Sequence, residues 1–295
     1  MTIYFNKFLP QNSNRVYENG LRFKNVFKTN TQETPLISII TVVKNRKIYV
    51  EETINSILRQ KYKNFEYIII DGHSNDGTLE ILKKYETQID YIVSEEDNGL
   101  YDAMNKGMQL CTGDIIGMVN SDDILMPDAL LYLSKYSKKY PTIDFFFGSV
   151  KKHWGILHGF KPWKISYAWN FYSSHSTGFY IKKTAVSKLG KYSLKYKYCS
   201  DLDYFYRMIV KHKMKGVSSN KDELFGIFRA GGISSHIDFW TLFFEKNQIR
   251  IDNKQNKYLV LILIITMFIF NWKRLKTLKN KNLVDFFKLN YLSIK

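Results

Sequence analysis

The sequence predicts an α/β fold: a mainly parallel sheet with helices on both faces, followed by a helical carboxyl-terminal tail. Three observations predict it. Between Leu36 and Val119, apolar runs of strand length alternate with segments whose apolar residues recur at helical spacing, and that alternation is what a parallel sheet with crossover helices requires. Two of the runs end in carboxylates, Asp71 and then Asn120-Ser121-Asp122-Asp123, at the sheet edge where open α/β folds bind ligands. The 295 residues suffice for one large domain or two small ones.

Taken in order, residues 1–34 are polar, rich in Asn and Lys, and carry Pro10 and the turn signal Asn19-Gly20, so they read as an arm. Residues 35–250 form the main domain. Its first half, 35–125, holds the apolar run Leu36–Val43, a helix with Val50, Ile54, Ile57 and Leu58 on one face, and the run Phe65–Ile70. A helix after Thr78, a short strand Tyr91–Val93, a helix bearing Leu100, Ala103, Met104, Gly107 and Met108, and the strand Ile115–Val119 follow. In the second half, 126–250, a helix after Pro127 and a strand Asp144–Gly148 lead into an aromatic, basic stretch reaching Ile181, the looseness expected of a substrate-binding half. Helices near Lys182–Leu189 and Ser200–Lys211 and a strand Leu224–Phe228 before Ala230-Gly231-Gly232 complete it. No internal repeat is visible.

Residues 251–295 differ in character. Leu259–Phe270 is almost wholly apolar and bracketed by Tyr258 and Trp272, but is too short for the roughly 20 residues that span a bilayer. Lys273, Arg274, Lys276, Lys279 and Lys281 follow at once. Aromatic ends, a short apolar body and a cationic flank suit a segment lying in an anionic membrane surface; a buried helix of the fold or an oligomer contact are the alternatives.

The net charge of +17 calls for an anionic partner. The basic residues are dispersed, and neither zinc-finger spacing nor an RNP-type motif is present, which argues against nucleic acid. The two cysteines, Cys111 and Cys199, lack metal or disulfide spacing and fit a reducing cytoplasm. The amino terminus lacks the pattern of a signal peptide, so a cytoplasmic enzyme peripheral to the inner face of the plasma membrane is expected.

The strand Tyr67–Ile70 runs into Asp71-Gly72-His73-Ser74-Asn75-Asp76-Gly77-Thr78. Gly72 and Gly77 permit tight turns, and Asp71 is suited to accept hydrogen bonds from a base or ribose. With Asp122 in the same crevice this becomes a nucleotide site. No Gly-x-Gly-x-x-Gly follows the first strand and no Walker loop exists, so dinucleotide and P-loop readings fall away. Asp122, at a strand end, suits a metal, with helix capping as its bland alternative. Asp201 opens a helical stretch, where it suits a general base or a carboxylate stabilised by the dipole.

Four ordered stretches, Ile37–Asn45 (ISIITVVKN), Asp71–Thr78, Asp97–Gly107 (DNGLYDAMNKG) and Asn120–Asp123, resemble successive motifs of family 2 glycosyltransferases, which have the GT-A fold. The similarity is greatest to the branch found in bacterial surface-polysaccharide synthesis, of colanic-acid type. It covers about Pro35–Arg207 and extends weakly to Gly231-Gly232-Ile233-Ser234. The resemblance implies a nucleotide-diphosphate-sugar donor, Mn²⁺ or Mg²⁺, and inversion at the anomeric carbon. Thr41, Val42 and Asn45 would line the nucleotide and Asp71 would contact base or ribose. Asp122 matches the last carboxylate of the family's Asp-x-Asp motif, and Asp201 its catalytic base.

The sequence departs from the family pattern twice. Asn120 replaces the first Asp of Asp-x-Asp, so with Ser121 it would meet the donor through neutral groups. Met104 stands where many members have Arg, leaving Asn105 and Lys106 as the polar neighbours expected to bind the donor. Asp123 either assists the metal or caps the next helix. Asp203 is expected to orient the acceptor or pair with a local cation, His175 to lie near the acceptor, Trp163 and Trp169 to form a sugar platform or to pack, and Arg229 to reach the diphosphate. The expected activity is an inverting, metal-dependent transfer, from a UDP-sugar to a hydroxyl of a growing and plausibly lipid-linked glycan; a non-catalytic nucleotide-sugar or polyanion binder is the rival.

Overall fold

The structure, a computed structural model, describes residues 2–31, 34–169, 171, 176–229 and 237–270. The strands are β1 (Arg15–Asn19), β2 (Ile37–Val43), β3 (Phe65–Asp71), β4 (Tyr91–Glu95), β5 (Ile115–Met118), β6 (Ile124–Leu125), β7 (Phe145–Phe147), β8 (Ser149–Lys152), β9 (Gly155–Leu157), β10 (Phe179–Lys182), β11 (Gly216–Ser218) and β12 (Leu224–Ile227). The α-helices are α1 (Val50–Leu58), α2 (Thr78–Lys83), α3 (Leu100–Gln109), α4 (Ala129–Lys139), α5 (Lys164–Tyr167), α6 (Lys183–Leu189), α7 (Ser200–Tyr206), α8 (Phe239–Asp252) and α9 (Lys257–Phe270).

Eight strands form one sheet in the order β1-β4-β3-β2-β5-β10-β7-β11. Its centre, β4-β3-β2-β5, is parallel as expected, and all seven residues of β2 and of β3 are buried, as near-continuous apolar strands covered on both faces should be. The flanks break that pattern: β1 runs antiparallel to β4, and β10 antiparallel to both β5 and β7, while β11 runs parallel to β7. A four-stranded sheet, β6-β12-β8-β9, stands beside the large one. Two hydrophobic clusters cover the faces of the large sheet. In the first, α3 comes so close to β2 that a Cβ on Gly107 would lie 2.5 Å from Ile40.

From β2 the chain steps to β3 and β4 on one side, then returns to set β5 on the other. The carboxyl ends of β2 and β5 therefore flank a topological switch point, the place where such sheets form a crevice.

Residues 2–31 are not a detached arm. Gly20 lies against the backbone of Ile89 and Asp90, β1 extends the sheet, and Ile3 is buried in the core. Arg22 enters the interior and donates to Glu66 Oε2, Lys7 O and Leu110 O at 2.8 Å each. A polar composition concealed this because the buried cation is neutralised by a carboxylate from β3.

The described part of the tail, up to residue 270, also belongs to the fold. The expected boundary at 250/251 falls inside α8, whose start is capped by Asp238 accepting from Trp240 N and Thr241 N. Val260, Leu263, Ile264 and Met267 of α9 are buried, packed with Phe243 of α8 and its aromatic neighbours. The opposite face exposes Tyr258, Leu261, Ile262, Ile265 and Ile269. Among the described residues no helix is long and apolar enough to cross a membrane; the basic stretch from Lys273 lies outside the described residues.

Candidate active site

Three loops leave the carboxyl ends of β2, β3 and β5, and the first two are tied together by short polar side chains. Asn45, in the left-handed region at φ 54°, accepts from Asn75 N at 2.9 Å, while its own N–H donates to Ser74 Oγ at 2.8 Å. A Cβ on Gly72 would lie 2.3 Å from the Asp97 carboxylate, which would have to shift to admit it. Burial pushes the Asp97 carboxyl upward, opposed by a hydrogen bond from Gly99 N–H and by Lys44 and Lys106.

Across the switch point, Arg46 Nε lies 3.9 Å from Asp122 Oδ2. The Asp122 side chain keeps 14% of its surface exposed, whereas Asp123 is fully buried. The turn closed by Asp123 N–H and Asn120 O, at 3.0 Å, leaves Asn120 half-buried at the edge and Ser121 buried.

Asp201 is exposed in the first turn of α7. Its Oδ1 accepts from Leu202 N at 2.8 Å and lies 3.3 Å from the Tyr101 hydroxyl. Because Tyr101 opens α3, which leaves the carboxyl end of β4, this contact brings Asp201 to the same edge of the sheet as Asp122. Lys246 of α8 also faces it: burial pulls that ammonium downward, and Cys199 and Asp201 oppose the fall.

Several expected donor contacts are corrected. Thr41 and Val42 are buried inside the sheet, and the Thr41 hydroxyl accepts from Tyr67 at 3.0 Å. Asp71 is fully buried, and its carboxylate accepts from Ser74 N–H and from the hydroxyls of Ser74 and Ser94; it shapes the loop instead of facing a base or ribose. Asn105 turns into the core and brackets the backbone of Tyr192, donating to its O at 3.0 Å and accepting from its N–H at 2.8 Å. Lys106 is paired with Glu95 at 2.8 Å, near Asp97 and Asp102.

Asp123 is held as a structural carboxylate, accepting from Thr177 Oγ1 at 2.6 Å and Arg229 N–H at 3.2 Å, and not presented as a second metal ligand. Asp203 is likewise consumed by Arg207 Nε and Asn253 Nδ2, both at 2.8 Å, which removes it from the acceptor. Arg229 pairs with Glu52 and lies over Tyr49. Trp163 is exposed before α5, but Trp169 stacks on Phe243 at 5.3 Å, so the two do not form a shared platform. His175 and Gly231–Ser234 lie outside the described residues.

Among the described residues no cluster of three or more His, Cys, Asp or Glu is placed to hold a metal alone. Asp122 fits one held jointly with a diphosphate: it is a hard oxygen donor and partly open. Sequence reasoning missed Arg46, Asp97 and Tyr101. The signal for Arg46 was the pair of cations flanking Asn45 at the first strand's end; Asp97 and Tyr101 lay within the DNGLYDAMNKG stretch without assigned roles.

The family model described as glycosyl transferase family 2 matches residues 38–198, more than half of the chain. The chain belongs to glycosyltransferase family 2. Among curated relatives of this family 2 member, a glycosyltransferase of Bacillus subtilis named for teichuronic acid biosynthesis, TuaG, is 37% identical over 103 residues, covering 34% of this chain and 41% of that protein. An uncharacterized glycosyltransferase of Methanocaldococcus jannaschii is 30% identical over 191 residues, 60% of this chain and 66% of that one. The chain thus matches less than two thirds of either relative. A PGL/p-HBAD biosynthesis glycosyltransferase of Mycobacterium bovis is 29% identical over 179 residues, 58% of this chain and 68% of that one.

Among solved structures, S. aureus TarS 1–349 in complex with UDP-GlcNAc superposes with a TM-score of 0.62 at 16% identity, covering 86% of this chain and 81% of that one. The mannosyltransferase PcManGT from Pyrobaculum calidifontis, in complex with GDP-Man and Mn²⁺, gives 0.55 at 19%, covering 79% and 68%. At those identities the structures speak for the fold, and the family 2 member has the GT-A fold.

Proposed function

We propose that this family 2 member is an inverting glycosyltransferase that moves a sugar from a UDP-sugar to a hydroxyl of a surface glycan. The observation that carries this reading is the Arg46–Asp122 pair across the switch point of a GT-A sheet, with Asp201 brought to the same edge by α3. Lys44 and Arg46 supply positive charge for a diphosphate, and Asp122 would hold Mn²⁺ or Mg²⁺. That ion, when bound, would neutralise charge developing on the leaving diphosphate.

Asp201 takes the proton of the acceptor hydroxyl as its oxygen attacks the anomeric carbon. The bond from that carbon to the diphosphate breaks, the nucleoside diphosphate leaves with the electron pair, and a single displacement inverts the centre. The relatives named for teichuronic acid and PGL/p-HBAD biosynthesis support a cell-surface glycan as acceptor. The exposed apolar face of α9, followed in sequence by five basic residues within Lys273–Lys281, supports a lipid-linked acceptor met at the cytoplasmic face of an anionic membrane.

A panel of nucleotide sugars with Mn²⁺ tests the reading. We expect one UDP-sugar to be consumed, and Asp201→Asn to lower transfer by about 10²-fold or more while UDP affinity holds. Retained UDP affinity with no turnover of any donor by the unmodified protein would favour a nucleotide-sugar-binding role instead.

A further inference from the structure

We propose that Tyr101 is the positioning residue of the candidate base: its hydroxyl steadies Asp201 as an anion and reverses its hydrogen bonds when Asp201 takes up a proton. The inference rests on the assignment of Asp201 as base.

The Tyr101 hydroxyl lies 3.0 Å from Tyr198 O and 3.3 Å from Asp201 Oδ1. A phenol carries one hydrogen, and while Asp201 is ionised both neighbours are acceptors. The carboxylate is the stronger of the two because it is charged. Once Asp201 has accepted the proton of the attacking hydroxyl, its own O–H donates to the phenolic oxygen, and the Tyr101 hydrogen turns to Tyr198 O. Tyr101 gains and loses no proton; only hydrogen bonds reverse. The phenol keeps its proton throughout, since burial and the adjacent Asp201 raise its pKa well above the ordinary 10.0.

The ring is built in so that it cannot swing away. Tyr101 stacks on Tyr192 at 5.6 Å, Tyr192 stacks on Tyr204 of α7 at 4.1 Å, and the Arg207 guanidinium covers Tyr204 at 5.3 Å. Asn105, one turn along α3 from Tyr101, clamps the Tyr192 backbone from both sides. The family's DNGLYDAMNKG stretch thus grips the segment that carries the base.

Among the described residues, ionisable groups that face Asp201 include Tyr101 from α3, Tyr192 and Cys199 from the segment before α7, and Lys246 from α8. Tyr101→Phe removes the hydroxyl and leaves the other three and the ring stack in place. We expect UDP affinity to stay within about twofold, transfer at neutral pH to fall about three- to tenfold, and the acid limb of the kcat profile to move up by about half to one pH unit, because the ionised form loses a donor. Replacing Tyr101 by 3-fluorotyrosine, a stronger donor of nearly the same shape, should move the limb the opposite way, and it serves if the phenylalanine variant does not fold. An acid limb unmoved in the folded phenylalanine variant, or unmoved by the fluorine, overturns the inference whatever the rate or melting temperature does. Asp201→Asn with near-normal kcat would instead sink the assignment beneath it.

Discussion

Asp122 and Asp123 are neighbours in sequence and opposite in environment. The turn after β5, closed by Asp123 N–H on Asn120 O, leaves one carboxylate at the crevice beside Arg46 while the next enters the interior between Thr177 and Arg229. Two substitutions separate their roles. Asp122→Ala should lower Mn²⁺-dependent UDP affinity at least about tenfold in calorimetric titration, with little change in the melting temperature. Asp123→Asn should keep that metal dependence and cost about 1–3 kcal/mol in denaturant unfolding, because a buried charged acceptor is replaced by a weaker one. The reverse pattern would make Asp123 the ligand.

At the scale of elements, α9 has two apolar faces in different surroundings. Its inner face packs on α8 and its outer face remains apolar and exposed, Ile262 by 56% and Ile269 by 66%. Ile264→Ala, on the inner face, should destabilise the protein by about 2–5 kcal/mol. Ile262→Asp with Ile265→Asp should leave the melting temperature nearly unchanged and reduce sedimentation with phosphatidylglycerol vesicles, and high salt should release part of the unmodified protein. Equal sedimentation of both proteins would remove the membrane role of this face. Deleting residues 257–295 would bare Phe243 and Trp240, so a shortened chain is expected to aggregate.

For the whole molecule, the amino-terminal segment is joined to the sheet by the buried pair Arg22–Glu66. Burial pushes the Glu66 carboxyl up, but Arg22 and hydrogen bonds from Ser38 and Thr112 outweigh it and hold it below its ordinary 4.5. A carboxyl lowered on folding stabilises the native state above its unfolded pKa, and that contribution fades as pH falls through the folded value. Urea unfolding from pH 7 to 3 should therefore show stability lost below about pH 4.5. Glu66→Gln should flatten that part of the profile and cost about 3–5 kcal/mol at neutral pH by leaving Arg22 buried without its partner. An acid profile identical in both proteins would show that the pair contributes no linkage.

The information legible along the chain is local and periodic. The strands β2 to β5, the helices between them and the carboxylates at the strand ends are all specified by apolar spacing and turn residues, and the four ordered motifs were enough to name the family. The tertiary structure alone decided which polar groups face the crevice. Asp71, Asn105, Asp123 and Asp203 are hydrogen-bonded into the fold by Ser94, Tyr192, Thr177 and Asn253, partners 23 to 87 residues away in the chain. It also decided that a polar arm would bury an arginine against Glu66. No local pattern encodes such pairings, because a buried carboxylate and a catalytic one have the same chemistry and differ only in whether a distant donor has reached them first.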